Sequence, residues 1–395
     1  MSGRSVVITG RGIVSPLGVG FEQHWSAVLK GEPLDGRSRL VAPPELLLPH
    51  LARFPKKQQK LYNRMTLLAM VAAALAMEDA ALAPGDMDPT RFGVYLGVNL
   101  VGWELGLLRG FLEASESDAQ SGELDLARAN AYCMRAINPL DYSLKTLPNL
   151  TAGYLAIAHN AQGACRAYTD GPVGGLLAIA DACQAIREGD LDVALAGGAD
   201  AQTEDLVYAS ALGMGLVARE GEAGTGMVPA EGSALMVLEA EERARARGAA
   251  PRCRVLGWSA LVGGSRLAAE TEGDVLAGRI ERAMREGLAT AGLARADLLA
   301  LHADGTPALE AAERAALAAL PAGSRPLATT AWKRFHGHLG AASPPAEALA
   351  ASACLERGMV PGASVEPATA LVNAVGFFGE VACLALGAGG GARAR

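Results

Sequence analysis

The stretch from Gly171 to Gly198 constrains the fold of this chain more than any other. Gly171-Pro172-Val173-Gly174-Gly175 opens a predicted helix that runs to about Glu188. Proline near the first helical position fits, because its missing N–H would have no intrahelical partner there. Residues 192–196 (DVALA) follow as a strand that ends on Gly197-Gly198. A helix that begins on glycines and feeds a strand that ends on glycines belongs to a layered α/β architecture.

The same alternation runs along the rest of the chain. Residues 6–9 (VVIT), closed by Gly10, read as a buried strand, and 22–29 as a helix. Residues 31–49, rich in Pro and Gly, read as loop, and 60–82 as one long helix. A second strand is predicted over 91–98, an acidic, polar surface excursion over 113–130, and a helix over 149–159. Residues 220–226 (EGEAGTG) form a Gly-rich loop, 233–238 a strand, and the charged run to Arg247 a helix. The second half repeats the rhythm: strand 254–256, helix 274–292, strand 298–302, a helix after Pro307, a Gly-rich turn at 337–340 and a helix beyond it. The final residues, GAGGGARAR, read as a flexible tail.

Composition narrows the function classes. Half of the 395 residues are hydrophobic and 19% are charged, too apolar a balance for a disordered chain. Only 5% are aromatic, so Ala, Val and Leu must build the core. The net charge of −7, with no basic block, excludes nucleic acid as an expected partner. No apolar run reaches the roughly 18 residues of a membrane span; residues 67–77 read as a buried helix. The first residues read as a strand, not a signal peptide. The six cysteines form no CxxC pair and read as small buried residues in a reducing cytoplasm.

Several segments, in order and spacing, resemble the β-ketoacyl-acyl-carrier-protein synthases of the thiolase-like superfamily. They are Val6-Val7-Ile8-Thr9-Gly10 with Gly12 and Ser15-Pro16-Leu17-Gly18; Pro148-Asn149 with Ala152-Gly153; and Gly189-Asp190, Asp192 and Ala196-Gly197-Gly198-Ala199-Asp200. Glu231-Gly232, Val237-Leu238-Glu239 and Ala246-Arg247-Gly248-Ala249 follow. Ala303 with Gly305-Thr306-Pro307, Lys333 with Gly337-His338-Leu339-Gly340-Ala341-Ala342, and Asn373 with Gly376-Phe377 complete the set. The resemblance spans nearly the whole chain. It implies an α/β, thiolase-like αβαβα five-layer fold of two related halves, residues 1–249 and 250–395.

The resemblance also implies a chemistry: a Cys at the start of a buried helix attacks an acyl thioester, two His assist decarboxylation and condensation, and a Lys supports the second His. This chain departs from that pattern. Counting forward from Pro148-Asn149, or back from Ala196-Gly197-Gly198, both land on Pro172 at the nucleophile position. Proline is no nucleophile and has no N–H for the oxyanion hole that the family forms there. Elsewhere, losing a nucleophile costs on the order of 10⁶ in rate. Cys165 lies upstream of that helix start and Cys183 deep within the helix, so both read as packing residues. Asp304 stands at the first His position, where a carboxylate accepts hydrogen bonds and repels a developing enolate. His338 and Lys333 are retained, and Glu313 matches a family acidic position with a structural role. Two residues after Gly305-Thr306 and one between Leu339 and Gly340 are missing from the pattern. In the gating segment Val375 replaces an aromatic and Phe378 a glycine, so Val375, Phe377 and Phe378 are candidates for a substrate tunnel or gate. Phe378 either blocks the pocket or marks a repacked loop.

Two functional readings follow. The first is a non-condensing, chain length factor-like subunit that forms a heterodimer with a Cys-containing ketosynthase. It meets acyl carrier protein through that complex and shapes acyl elongation in type II polyketide, aryl polyene or fatty acid biosynthesis. The family's chain length factors have usually replaced the Cys by Gln, not Pro. The dimer face is then expected around residues 150–200. The second is a ketosynthase-like enzyme with altered acyl-transfer, hydrolytic or cyclising chemistry at Asp304 and His338. His302 and Asp304, like His336 and His338, are two apart, so on extended chain each pair would share a face. No cofactor and no metal are expected. A dinucleotide fold is a remote third option, since Gly10-Arg11-Gly12-Ile13-Val14-Ser15 only half-matches that fingerprint.

Overall fold

A computed structural model describes residues 3–31, 39–99, 104–116, 122–219, 222, 224–264 and 266–389. Eleven strands are β1 (Val6–Ser15), β2 (Gly18–Val19), β3 (Phe92–Gly97), β4 (Cys165–Tyr168), β5 (Val193–Ala201) and β6 (Glu231–Ala240), then β7 (Cys253–Leu261), β8 (Leu298–Ala300), β9 (Ala328–Thr330), β10 (Thr369–Val375) and β11 (Val381–Ala388). β2 pairs only with β1; the other ten fall into two sets of five. The first set runs β4-β3-β5-β6-β1 and the second β9-β8-β10-β11-β7, edge to centre. In each set the two outer pairings are parallel and the two inner ones antiparallel. The sets therefore share one topology. They meet where β1 pairs β7 through Val6–Val255, Val7–Arg254 and Ile8–Cys253.

Helices fill three layers around these two sets. Gly174–Glu188 and Ser343–Arg357 touch each other and strands of both sets, so they form the middle layer. Arg64–Asp79 and Asn149–His159 cover the outer face of the first set, and Gly273–Thr290 with Pro307–Ala319 the outer side of the second. This is the αβαβα arrangement. Ser343–Arg357 is buried along nearly its whole length, and alanines let it lie close to both sheets. Hydrophobic burial of such aliphatic surface, at about 25 cal/mol per Å², drives the layering.

Several element boundaries shift: β1 runs through Gly10 to Ser15 and β5 through Gly197-Gly198 to Ala201, past the glycines expected to end them, because both pair along their length with β6. Arg64–Asp79 is shorter than the predicted 60–82 helix, because the Asn63 side chain caps it by accepting the Thr66 N–H at 2.7 Å. Pro44–Leu51 is helical within the predicted 31–49 loop, with Pro44 at its first position; residues 32–38 lie outside the described residues. The predicted 113–130 excursion is the junction of two helices, Leu105–Ser115 and Leu126–Ala136, packed through Phe111 and Tyr132. Residues 117–121 of it, most of the 220–223 segment and the tail from 390 lie outside the described residues. β7 extends to Leu261, beyond the predicted 254–256, because it pairs with β11 along its length.

One contact locks the halves together near the middle layer. A Cβ on Gly198 would lie 2.1 Å from the carbonyl oxygen of Ala341, in the turn Gly340–Ala342. Beside it, Asp200 accepts hydrogen bonds from Ala201 N at 2.7 Å, Gln202 Nε2 at 2.8 Å and Ala341 N at 3.2 Å. Gly340 has φ +54° and sits against this carboxylate, so a side chain there would meet both backbone strain and collision. Burial pushes the Asp200 carboxyl up to about 6, against the lowering pull of those hydrogen bonds.

Two outcomes are expected. Gly198→Ala destabilises the fold by about 3 kcal/mol, whereas Gly153→Ala, with nothing within 4 Å of the new methyl, stabilises its helix by roughly 0.5–1 kcal/mol; parallel thermal melts check both. The folded state favours protonated Asp200, so its contribution is fully present below the ordinary carboxyl value of about 3.9 and is lost as pH rises to about 6. The difference in stability between the wild type and Asp200→Asn should therefore change across that window, by at most about 3 kcal/mol.

Candidate functional site

Position 172 lies in the single turn Gly171–Val173 that leads into the buried middle-layer helix Gly174–Glu188. Pro172 is itself buried, and its turn packs against the turn Gly340–Ala342 and against β10. The helix start therefore faces the His338 segment, but presents neither a nucleophile nor an N–H at residue 172. No other thiol replaces it. Cys183 is buried, and burial pushes its thiol up to about 12. Cys165 starts the edge strand β4, exposed, with its thiol also raised by partial burial. Neither is primed as a thiolate.

Asp304 and His338 come together, with His302 as the third member. The nearest ring nitrogens and carboxylate oxygen of His302, Asp304 and His338 all lie within 4.8 Å of one another. His302 Nε2 is 3.5 Å from Asp304 Oδ2, and Thr306 N donates to Asp304 Oδ1 at 2.9 Å. The loop that carries this pair is held from behind by Glu313, which accepts the N–H groups of His302 (2.8 Å) and Ala303 (3.1 Å) and the side-chain amide of Asn373. That clamp offsets the left-handed φ of +29° at Ala303, a cost of order 1–3 kcal/mol. Lys333 lies beneath: its Nζ donates to His302 O and to Glu347 Oε1, both at 2.6 Å, in full burial. Burial raises the Glu347 carboxyl to about 7, while the Lys333 charge pulls it back.

Backbone amides fix both imidazole tautomers. Gly340 N donates to His338 Nδ1 at 3.2 Å, and Val375 N to His302 Nδ1 at 3.3 Å. Each Nδ1 is therefore an acceptor, so each neutral ring carries its proton on Nε2. Burial and the Lys333 charge lower the basicity of both rings, His338 to about 3, so both are neutral at physiological pH. Burial alone would raise Asp304, but the His302 contact, the charge either ring carries when protonated and the Thr306 N–H pull its carboxyl below the ordinary range. The site thus holds one carboxylate and two N–H donors. By distance alone the trio would surround a cation. Its tautomers oppose that: both Nε2 atoms carry protons and lack the lone pair a metal takes.

His336 stands apart. It ends the helix Lys333–His336, and Gly337, with φ +76°, turns the chain before His338. Its Nδ1 bonds the Gly337 carbonyl at 2.7 Å and its ring faces His24 at 5.6 Å. His302 meets Asp304 although Ala303 between them has φ +29°, whereas His336, at the end of its helix, turns its ring to His24 and not to His338.

The gate candidates separate. Val375 ends β10 within the outer core of the second set, and its N–H fixes His302. Phe377 stacks on His338, with ring centroids 5.8 Å apart and planes inclined by 29°, and lies against Gly171. Phe377 and Phe378 both line a cavity of about 650 Å³ together with Leu206, Met214, Asp170 and Glu380. Phe378 is 44% exposed there, and its N–H donates to Glu380 Oε2 at 3.1 Å. Glu347 and the Phe377 stack are the site features that the sequence reading lacked. The signal for Glu347 was a single acid within the apolar run SPPAEALAASACL.

No helix among the described residues is long and apolar enough to cross a membrane. Comparison with known proteins agrees with this fold. Residues 3–244 match the N-terminal domain of β-ketoacyl synthase and residues 258–364 its C-terminal domain. The chain is 30% identical to the tetracenomycin polyketide synthase ketoacyl synthase beta subunit of Streptomyces glaucescens, over 87% of this chain and 84% of that one. Its fold matches that of the ishigamide ketosynthase/chain length factor, with TM-score 0.81, 23% identity, and 98% and 99% of the two chains covered. It also matches a type II polyketide synthase acyl-carrier protein complex with its ketosynthase bound to the hexaketide, with TM-score 0.76, 22% identity, and 98% and 99% covered. With family matches on both sides of the β1–β7 junction, a thiolase-like ketosynthase fold, and Lys333 and His338 in place, this chain belongs to the β-ketoacyl synthase family.

Proposed function

We propose that this chain is a non-condensing ketosynthase-like subunit of polyketide or related acyl-chain biosynthesis, active in the cytoplasm as the partner of a Cys-containing β-ketoacyl synthase. The observation that carries the reading is buried Pro172 at the opening of the middle-layer helix, beside the His338 turn. Condensation needs a nucleophile there, and the chain has no substitute among its described thiols. The charge of Asp304 works in the same direction. It opposes both a malonyl carboxylate and the enolate that decarboxylation would form next to His338.

A partner role has physical support on the first set of strands. β4 pairs only with β3 among the described residues, so its outer backbone edge is open. The helix Asn149–His159 packs on β4 and leaves Ile157 75% exposed. An open edge beside exposed apolar side chains suits burial against another subunit. The likeness to a ketoacyl synthase beta subunit and to a ketosynthase/chain length factor supports the choice of a ketosynthase as that partner. Acyl carrier protein would then be met through the complex, and Phe377 and Phe378 would line the path of the chain. One observation favours the second reading, altered acyl-transfer, hydrolytic or cyclising chemistry: the His338 Nε2–H beside Asp304 has no partner.

Co-expression with a Cys-containing ketosynthase of the same pathway, followed by size-exclusion chromatography, should give one stable heterodimer. A monomer or homodimer indifferent to the synthase overturns the proposal. Incubated alone with acyl- and malonyl-carrier protein, the chain should yield no β-ketoacyl product by mass spectrometry. Condensed product overturns the reading, and released acid or cyclised product establishes the second one.

A further inference from the structure

The His338–Asp304 pair has a gap of definite chemistry. His338 is 1% exposed, carries its proton on Nε2, and that atom has no hydrogen-bond partner among the described residues. The nearest Asp304 carboxylate oxygen and His338 ring nitrogen lie within 4.8 Å of each other; the Asp304 side chain is 5% exposed, its Oδ1 accepts from Thr306 N and its Oδ2 faces His302 Nε2 at 3.5 Å. A carboxylate oxygen accepts more than one hydrogen bond, so it retains capacity toward His338. One oxygen placed ~2.8 Å from both groups at a tetrahedral angle spans roughly 4.6 Å. The 4.8 Å limit on the trio leaves room for such a span.

That oxygen must accept from Nε2–H and donate to the carboxylate. A hydroxyl does both, whereas a ketone oxygen only accepts. A carboxylate also only accepts and is repelled by Asp304. An alkyl chain leaves two buried polar groups unpaired. We propose that His338 and Asp304 form a binding site for the hydroxyl of a hydroxyacyl thioester. The proposal rests on the acyl-handling reading above for the thioester, and on these residues alone for the hydroxyl. The neighbouring cavity has the matching character. Phe377 covers His338 on one side and lines the 650 Å³ cavity on the other. That cavity carries carboxylates at Asp170 and Glu380 and, among the described residues, no cationic side chain, so it suits an uncharged chain. The role is recognition: the hydroxyl is held between donor and acceptor and keeps its proton. Hydroxyacyl thioesters arise by reduction of 3-oxoacyl thioesters, so a ketoreduction must supply this ligand.

The test compares three probes on the full chain by calorimetric titration: 3-hydroxybutyryl-, acetoacetyl- and butyryl-pantetheine. A hydrogen bond to a charged group predicts that the hydroxy probe binds roughly 10- to 100-fold tighter than the butyryl probe, with the acetoacetyl probe no better than butyryl. Equal affinities, a preference for acetoacetyl, or no binding of any probe overturns the proposal. In Asp304→Asn, with folding checked by circular dichroism, the preference should fall to within about threefold; an unchanged preference also overturns it. The wild-type comparison stands even if that variant does not fold. Ligand preference is read without the partner subunit, so its failure is distinct from failure to form a heterodimer.

Discussion

The close approach of the Ala341 carbonyl to Gly198 is the constraint on which the rest of the molecule depends. It joins the end of β5 in the first set of strands to the turn before Ser343–Arg357, without a side chain between them. Because backbone meets backbone, the two middle-layer helices can lie against each other. The helix start at residues 171–175 is thereby brought to the turn that carries His338. Asp200 fixes the same turn through the Ala341 N–H, so packing and polar contacts agree on one position. Residues distant in sequence become one site through this junction.

Within that junction the electrostatics are arranged from the backbone outward. Two amide N–H groups set two imidazoles in one tautomer, and Glu313 and Lys333 hold the loop that presents them. In this family setting the His residues assist reactions on acyl thioesters. Here the same presentation surrounds a resident carboxylate, Asp304. Of the two family His positions the scaffold has kept one, His338, and set a carboxylate, Asp304, at the other. Retained Lys333 is explained by this support role: it binds the His302 carbonyl and neutralises Glu347, tasks that persist whether or not condensation does.

Sequence patterning revealed the layers because β-branched runs, glycine punctuation and helical stretches alternate in order. It also located Pro172, Asp304, Lys333 and His338, since these sit inside recognisable segments. It was weaker where tertiary contacts decide. The extension of β7 to Leu261 depends on pairing with β11, and the end of Arg64–Asp79 on the Asn63 cap. Spacing of two suggested equivalent pairs at 302/304 and 336/338, but both intervening residues have positive φ, and His336 packs against His24 instead. Phe377 stood out only as a gate candidate, whereas its stacking on His338 depends on the β10–β11 turn. The Phe378 substitution looked like either obstruction or repacking; its partly exposed ring at the rim of a 650 Å³ cavity is consistent with repacking.

Pro172 has a consequence at the level of the gene. Proline and cysteine codons differ at both of their first two bases, so no single nucleotide change restores the thiol at this position. A restored cysteine would also open a helix shaped around a ring that fixes φ, and would face a site in which Asp304 already holds the negative charge. The proline at this position is therefore insulated from single-base reversion.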